Sequence, residues 1–158
     1  MGLFSKNKKD KGPARPRNEL LKQLLGLDEK GPFTIQPGTD TDIVVTNEVV
    51  NKSWATGKKK VSYQARILLQ ENDHTAYLWE MLQESSSGLQ FKVGFEKNRI
   101  SGKEVFSSRS EKIYGPDGEK VLDYQFDYGT LREAFKEIIE DAGWNFKLVI
   151  LKGKTERK

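Results

Sequence analysis

Residues able to do chemistry are sparse in this 158-residue chain, and few of them are grouped. The single histidine, His74, falls beside the capping position of an expected helix, where an imidazole is ordinarily solvated rather than catalytic. It has no second histidine to share a metal with, and the chain has no cysteine. Disulfides, thiolate metal sites and cysteine nucleophiles are therefore excluded. Glu71, Asp73, Glu80 and Glu84 scatter around the same expected helix and do not converge on a cation. Asp123 and Asp127 read as solvated surface on one strand. The "GPDGEK" stretch from Gly115 lacks the helix N-terminus that would cradle a phosphate. The serines of "SSSG" and "SSRS" have no base beside them in a nucleophile pattern. The expectation is a chain without catalytic residues, metal or cofactor.

One grouping stands apart. "NKSWATGKKK", Asn51 to Lys60, places Trp54 among polar residues and lysines with no apolar period to bury it. Lys52, Lys58, Lys59 and Lys60 flank the indole, and Lys97 and Arg99 of "EKNRISG" are further cations that can join them. An aromatic ring ringed by cations suits a nucleic acid, an anionic surface or an acidic protein. Equally, the indole can fold over the edge of a sheet while the lysines stay in water. Both readings stand on sequence alone, and all seven residues are candidates for partner contact.

The net charge of +4 is unevenly spread. Residues 1–17 carry +5 and residues 153–158 carry +2, which leaves −3 for residues 18–152. A duplex-binding body would carry a basic face of its own, so basicity confined to the ends argues against one. Residues 1–17, rich in Lys, Arg, Pro and Gly, read as a disordered basic arm, and residues 153–158 as a basic tail. "MGLF" ahead of lysines suggests weak peripheral membrane contact by the arm. Its serine, Ser5, is one place short of the acylation pattern. The start of the chain shows no secretory pattern and no apolar run is long enough to span a bilayer, so a cytoplasmic address is expected.

The elements that must position these residues alternate between two periods. "NELLKQLLG" places Leu20, Leu21, Leu24 and Leu25 on one stripe of a short N-terminal helix, with Asn18 to cap it and Gly26 to end it. "DIVVTNEVV" and "VSYQARILLQ" read as strands joined by the Trp54 stretch as a long hairpin loop. "NDHTAYLWEMLQESSSG" reads as a helix on Leu78, Met81 and Leu82. "LQFKVGFE" is a strand, "KEVFSSRSEKIY" an edge strand, "GPDG" a turn and "EKVLDYQFDY" a strand. "TLREAFKEIIEDAG" has capping-box spacing at Thr130 and Glu133 and an apolar stripe through Phe135 and Ile139, with Gly143 as its stop. "WNFKLVILK" closes the chain as a strand whose run Leu148–Leu151 suggests burial on both faces.

Aligned with each other, "LWEMLQESSSGLQFKV" and "FKEIIEDAGWNFKLV" share spacing and a G-x-[QN]-F-K core, which suggests a β-β-α-β unit used twice, over 42–96 and 103–152. The expectation is an α+β domain over residues 18–152, with a mostly antiparallel sheet, two main helices packed on it and the short N-terminal helix. Its expected role is a non-catalytic binding module for a protein or small ligand. Single-stranded nucleic-acid binding through the Trp54 loop and basic arms is the alternative, and an enzyme the third reading.

Overall fold

The computed structural model describes residues 13–27, 33–88, 91–98 and 107–157. The fold is α+β, with two helices and mostly antiparallel strands among the described residues. In chain order the elements are α1 (Arg17–Leu25), β1 (Thr34–Pro37), β2 (Ile43–Trp54), β3 (Gly57–Gln70), β4 (Thr75–Gly88), β5 (Phe91–Asn98), β6 (Ser107–Tyr114), β7 (Lys120–Asp127), α2 (Gly129–Asp141) and β8 (Asn145–Leu148). One sheet has the order β1-β2-β3-β4-β8, the other β5-β6-β7. The chain divides into two compact units. The first holds Met1–Asn47, Gln64–Met81 and Ala134–Lys158, and the second holds Glu48–Tyr63 and Leu82–Glu133. Strands β2, β3 and β4 and helix α2 contribute residues to both.

In the first unit alternate strand residues are buried: Ile43 and Val45 of β2, Ala65 and Ile67 of β3, Ala76 and Leu78 of β4. Successive side chains of a strand face opposite ways, so this is the core face of one sheet. Leu20 and Leu24 of α1 and Phe135 and Ile139 of α2 are fully buried pairs spaced one helical turn apart. Gly143, at φ +83°, ends α2. The Trp144 and Gly143 N–H groups donate to the Ile139 and Glu140 carbonyls at 3.1 and 3.0 Å, the bond pair of a Schellman cap. A Cβ at Gly143 would also lie 2.9 Å from Ala14 Cα, so the position excludes a side chain for two reasons. Trp144 is fully buried and donates its indole N–H to the Arg15 carbonyl at 2.8 Å.

Asp42, at the start of β2, has a side chain 1% exposed. Its Oδ2 accepts the Leu69 N–H at 2.7 Å. Its Oδ1 accepts a guanidinium N–H of Arg157 at 2.6 Å and one from Arg17. Arg157 donates further to the Thr39 and Thr41 carbonyls at 3.0 and 2.9 Å. The Thr41 hydroxyl in turn donates to the Ile67 carbonyl at 2.9 Å.

Several expectations are corrected. Thr75–Gly88 is strand β4, not a helix. Tyr77, Trp79 and three successive serines are weak helix formers. Pairing with β3 on one side and β8 on the other overrides the short stripe of Leu78, Met81 and Leu82. His74 therefore caps no helix: at φ 46° it ends a short 3-10 turn over Glu71–Asp73 that links β3 to β4. Because Leu78–Gly88 is strand while Phe135–Asp141 is helix, the two aligned segments do not share a β-β-α-β structure. The Asn51–Lys60 stretch is not a long loop either. β2 continues to Trp54, two residues turn, and β3 begins at Gly57.

The β6 strand is the middle of its sheet rather than an edge, paired antiparallel to β5 and β7. Leu148–Leu151 is not buried on both faces. Among the described residues β8 pairs with β4 alone, in parallel from Thr75↔Asn145 to Leu78↔Leu148, and Ile150 and Leu151 are 70% and 64% exposed. Helix α2 is capped by Asp127 instead of a Thr130–Glu133 box: its carboxylate accepts from Gly129 N, Thr130 N and the Thr130 hydroxyl at 3.0, 3.3 and 3.1 Å. Asn18 lies inside α1, whose N-cap is Pro16. The "GPDG" turn forms as expected, with Gly115 N–H donating to Glu119 O at 2.8 Å.

Residues 1–12 of the expected arm, and Lys158, lie outside the described residues. What is described of the two ends is docked: Arg15 N–H donates to Ala142 O at 2.8 Å, and Thr155 is fully buried. Removing the Asp42 carboxylate leaves a buried amide and two guanidinium groups without their acceptor. Asp42→Ala is expected to lower unfolding stability by about 2–3 kcal/mol and Asp42→Asn by roughly half of that, because the amide oxygen keeps the Leu69 bond. Urea unfolding midpoints check both.

Candidate functional site: the outer β2–β3 hairpin

Seven residues were expected to gather around Trp54, and strand geometry separates them. In β3 the lysine run must alternate. Lys58 and Lys60 are exposed, whereas Lys59 is fully buried on the face that also buries Val61 and Tyr63. Lys52 of β2 is exposed. Lys60 lies 3.8 Å from Glu48 with both side chains more than half exposed, a contact worth little. Lys52 and Lys58 form no ion pair with any described residue. Lys97 is placed in β5 opposite Ser108, and Arg99 lies outside the described residues.

Trp54 is partly buried against its own hairpin. A Cβ at Gly57 would sit 3.1 Å from Trp54 Cε2 and Cζ2, so the ring rests on the bare Gly57 backbone. The indole N–H is buried without a hydrogen-bond partner. Base stacking needs an open ring, and this one is partly covered by its own hairpin.

Lys59 leads into a charge cluster that the sequence reading did not anticipate. Its ammonium lies 3.2 Å from Glu84 Oε2 and 3.2 Å from Glu111 Oε1. Arg109 contacts Glu84 and lies 3.1 Å from Glu111 Oε2. The Tyr124 hydroxyl donates to Glu111 Oε1 at 3.1 Å. Two cations thus meet two carboxylates. Burial alone would raise the Glu111 carboxyl, but hydrogen bonds from Arg109 and Lys59 outweigh it and hold the group below the usual glutamate range. Burial first, and then the Glu111 charge, push the Tyr124 hydroxyl well above the usual phenol range. At neutral pH Glu111 is a fixed anion and Tyr124 a fixed donor, so this pair carries no proton ready for acid–base work. The signal that would have found the cluster was present: read as a strand, "GKKKVSYQA" puts Lys59 in phase with Val61, Tyr63 and Ala65.

Beside it, Tyr63, Phe126 and Tyr128 form a buried aromatic group, with Tyr63 5.6 Å from each of the other two rings. In the first unit, exposed His74 meets the edge of Trp144 with centroids 5.1 Å apart. Arg66, 2.7 Å from Asp40, holds that exposed carboxyl below its ordinary value. Among the described residues no three His, Asp or Glu are grouped to hold a metal, and no helix is long and apolar enough to cross a membrane. Comparison with family models, curated proteins and solved structures finds no match to this chain.

A buried ion network is destabilised sharply when one partner is neutralised. Glu111→Gln is expected to lower stability by about 3 kcal/mol at neutral pH. The sign of its pH dependence follows from the depressed carboxyl. The Glu111 contribution is complete above the ordinary glutamate range and disappears as pH falls through its lower folded value. The stability gap between wild type and Glu111→Gln should therefore begin to narrow once pH falls below the ordinary glutamate value and go on narrowing toward the lower folded one, as measured by urea midpoints across an acid series.

Proposed function

We propose that the protein is a non-catalytic binding module whose contact surface is the outer β2–β3 hairpin, and that it takes an acidic protein segment there. The observation that supports this reading is the sorting of the lysines. Lys59 is withdrawn and neutralised, while Lys52, Lys58 and Lys60 remain exposed among the exposed residues Asn51, Ser53, Ala55 and Thr56. Exposed cations at the hairpin tip meet carboxylates of a partner and steer its approach, as electrostatic complementarity does at interface rims. An exposed row of strand and turn residues suits a protein surface better than a small ligand, which needs a concave site. Single-stranded nucleic acid is less well supported, because Trp54 rests on Gly57 instead of offering an open platform.

The test is fluorescence anisotropy of a labelled oligoglutamate peptide and of a labelled single-stranded oligonucleotide, each titrated with the full chain and with Lys52→Ser/Lys58→Ser/Lys60→Ser. Peptide affinity is expected to fall about tenfold in the triple variant, the sum of three exposed charge contacts. Oligonucleotide binding should not respond to the tip. Equal peptide affinity for both proteins defeats the proposal. A tip-dependent oligonucleotide signal would transfer the surface to nucleic acid.

A further inference from the structure

The end of β8 breaks a rule that the rest of the first unit keeps. Ile150 and Leu151 are 70% and 64% exposed, the two most exposed large apolar residues among those described. They are consecutive, and exposure continues without interruption from Ile150 to Lys154. A single exposed leucine is ordinary. An adjacent Ile-Leu pair standing clear at the end of a strand is not, since folding back over the sheet would remove both from water.

The charges carried by the segment that holds this pair share one sign. "KLVILKGK", residues 147–154, holds Lys147, Lys152 and Lys154 and no acidic residue. All three lysines are exposed. Lys152 Nζ lies 5.7 Å over the ring of Trp79, which directs the ammonium to one side of the segment. Asp40, to which Lys152 adds a minor attraction, is already held by Arg66 at 2.7 Å. The cations are therefore available to an external anion.

We propose that residues 147–154 form a peripheral docking site for an anionic lipid surface, with Ile150 and Leu151 entering the boundary between headgroups and acyl chains and Lys147, Lys152 and Lys154 holding the headgroups. Charge complementarity selects the occupant. A protein partner would have to bring a pocket shaped for the Ile-Leu pair, whereas a lipid surface accepts two protruding apolar side chains without any shape of its own and supplies anions on every side. Two side chains are too few for permanent anchoring, so attachment is reversible and falls with salt. This site lies in the first unit and uses none of the lysines of the β2–β3 hairpin.

Vesicle flotation tests it, with the full chain and vesicles of phosphatidylcholine alone or mixed with phosphatidylserine. Wild type should float with the mixed vesicles at low salt, remain behind with phosphatidylcholine alone, and release at about 0.5 M salt. Ile150→Ser/Leu151→Ser and Lys152→Ser/Lys154→Ser should each reduce the floated fraction about fivefold or more. Both pairs are exposed, so the melting temperatures should match wild type and separate lost docking from lost folding. Flotation that both variants retain in full would place any attachment elsewhere, the lysines of residues 1–17 included, and overturn the proposal. No flotation with anionic vesicles overturns it as well, as does equal flotation with both vesicle types.

Discussion

One buried carboxylate organises the first unit. Asp42 is almost inaccessible to water, and an isolated charge there would be strongly unfavourable. It persists because three groups reach it from separate parts of the chain: Arg17 at the start of α1, Leu69 near the end of β3, and Arg157 beyond β8. Removing the carboxylate takes one acceptor from all three at once. Around it, Thr41 and Asp40 add bonds to Ile67 and Arg66, so the short run Thr39–Asp42 links the two ends of the unit to the sheet. The helices then bury their Leu20/Leu24 and Phe135/Ile139 pairs within a frame set by polar contacts.

The second unit solves a related problem in another way. Its strands bury Val50, Val61, Ile113 and Phe126, but Lys59 and Glu111 are buried with them. A single buried ion would be intolerable. A set of two cations and two carboxylates, with Tyr124 donating to one of them, offsets the buried charges and demands one alignment of the strands that carry them. A one-residue slip in β3 would bury Lys58 or Lys60 in place of Lys59 and leave Glu111 facing the wrong side chain. The same constraint leaves Lys58 and Lys60 in water, so the network and the exposed hairpin surface are two results of one alternation.

Much of this was legible in sequence where the signal was periodic and local. The stripe of α2, its Gly143 stop, the "GPDG" turn and the strand built around Val61, Tyr63, Ala65 and Ile67 follow from spacing alone. Two of the errors share a cause, a partner distant in the chain. β4 was read as a helix because Leu78, Met81 and Leu82 imitate a stripe, while its pairing with β3 and β8 is invisible locally. β6 looked like an edge because its buried face holds a glutamate, whose compensating Lys59 and Arg109 could not be assigned without the fold. Lysine, by residue type, reads as surface. Alternation would have withdrawn Lys59, and Gly57 is the residue that lets Trp54 lie down on its hairpin.

Arg17 and Arg157 grip the same oxygen of Asp42, and that meeting has a topological meaning. The path that enters through α1 and the path that leaves after β8 come back to a single carboxylate, so the described chain runs as a nearly closed circuit. In such a circuit the position of the break is a matter of convenience. Linking Pro13 to Arg157 and reopening the chain at the exposed Pro116–Gly118 turn would cut none of the described strand pairings and none of the bonds to Asp42. Circular permutation is tolerated at sites of this kind. The order in which the elements emerge during synthesis is thus separable from the architecture they form.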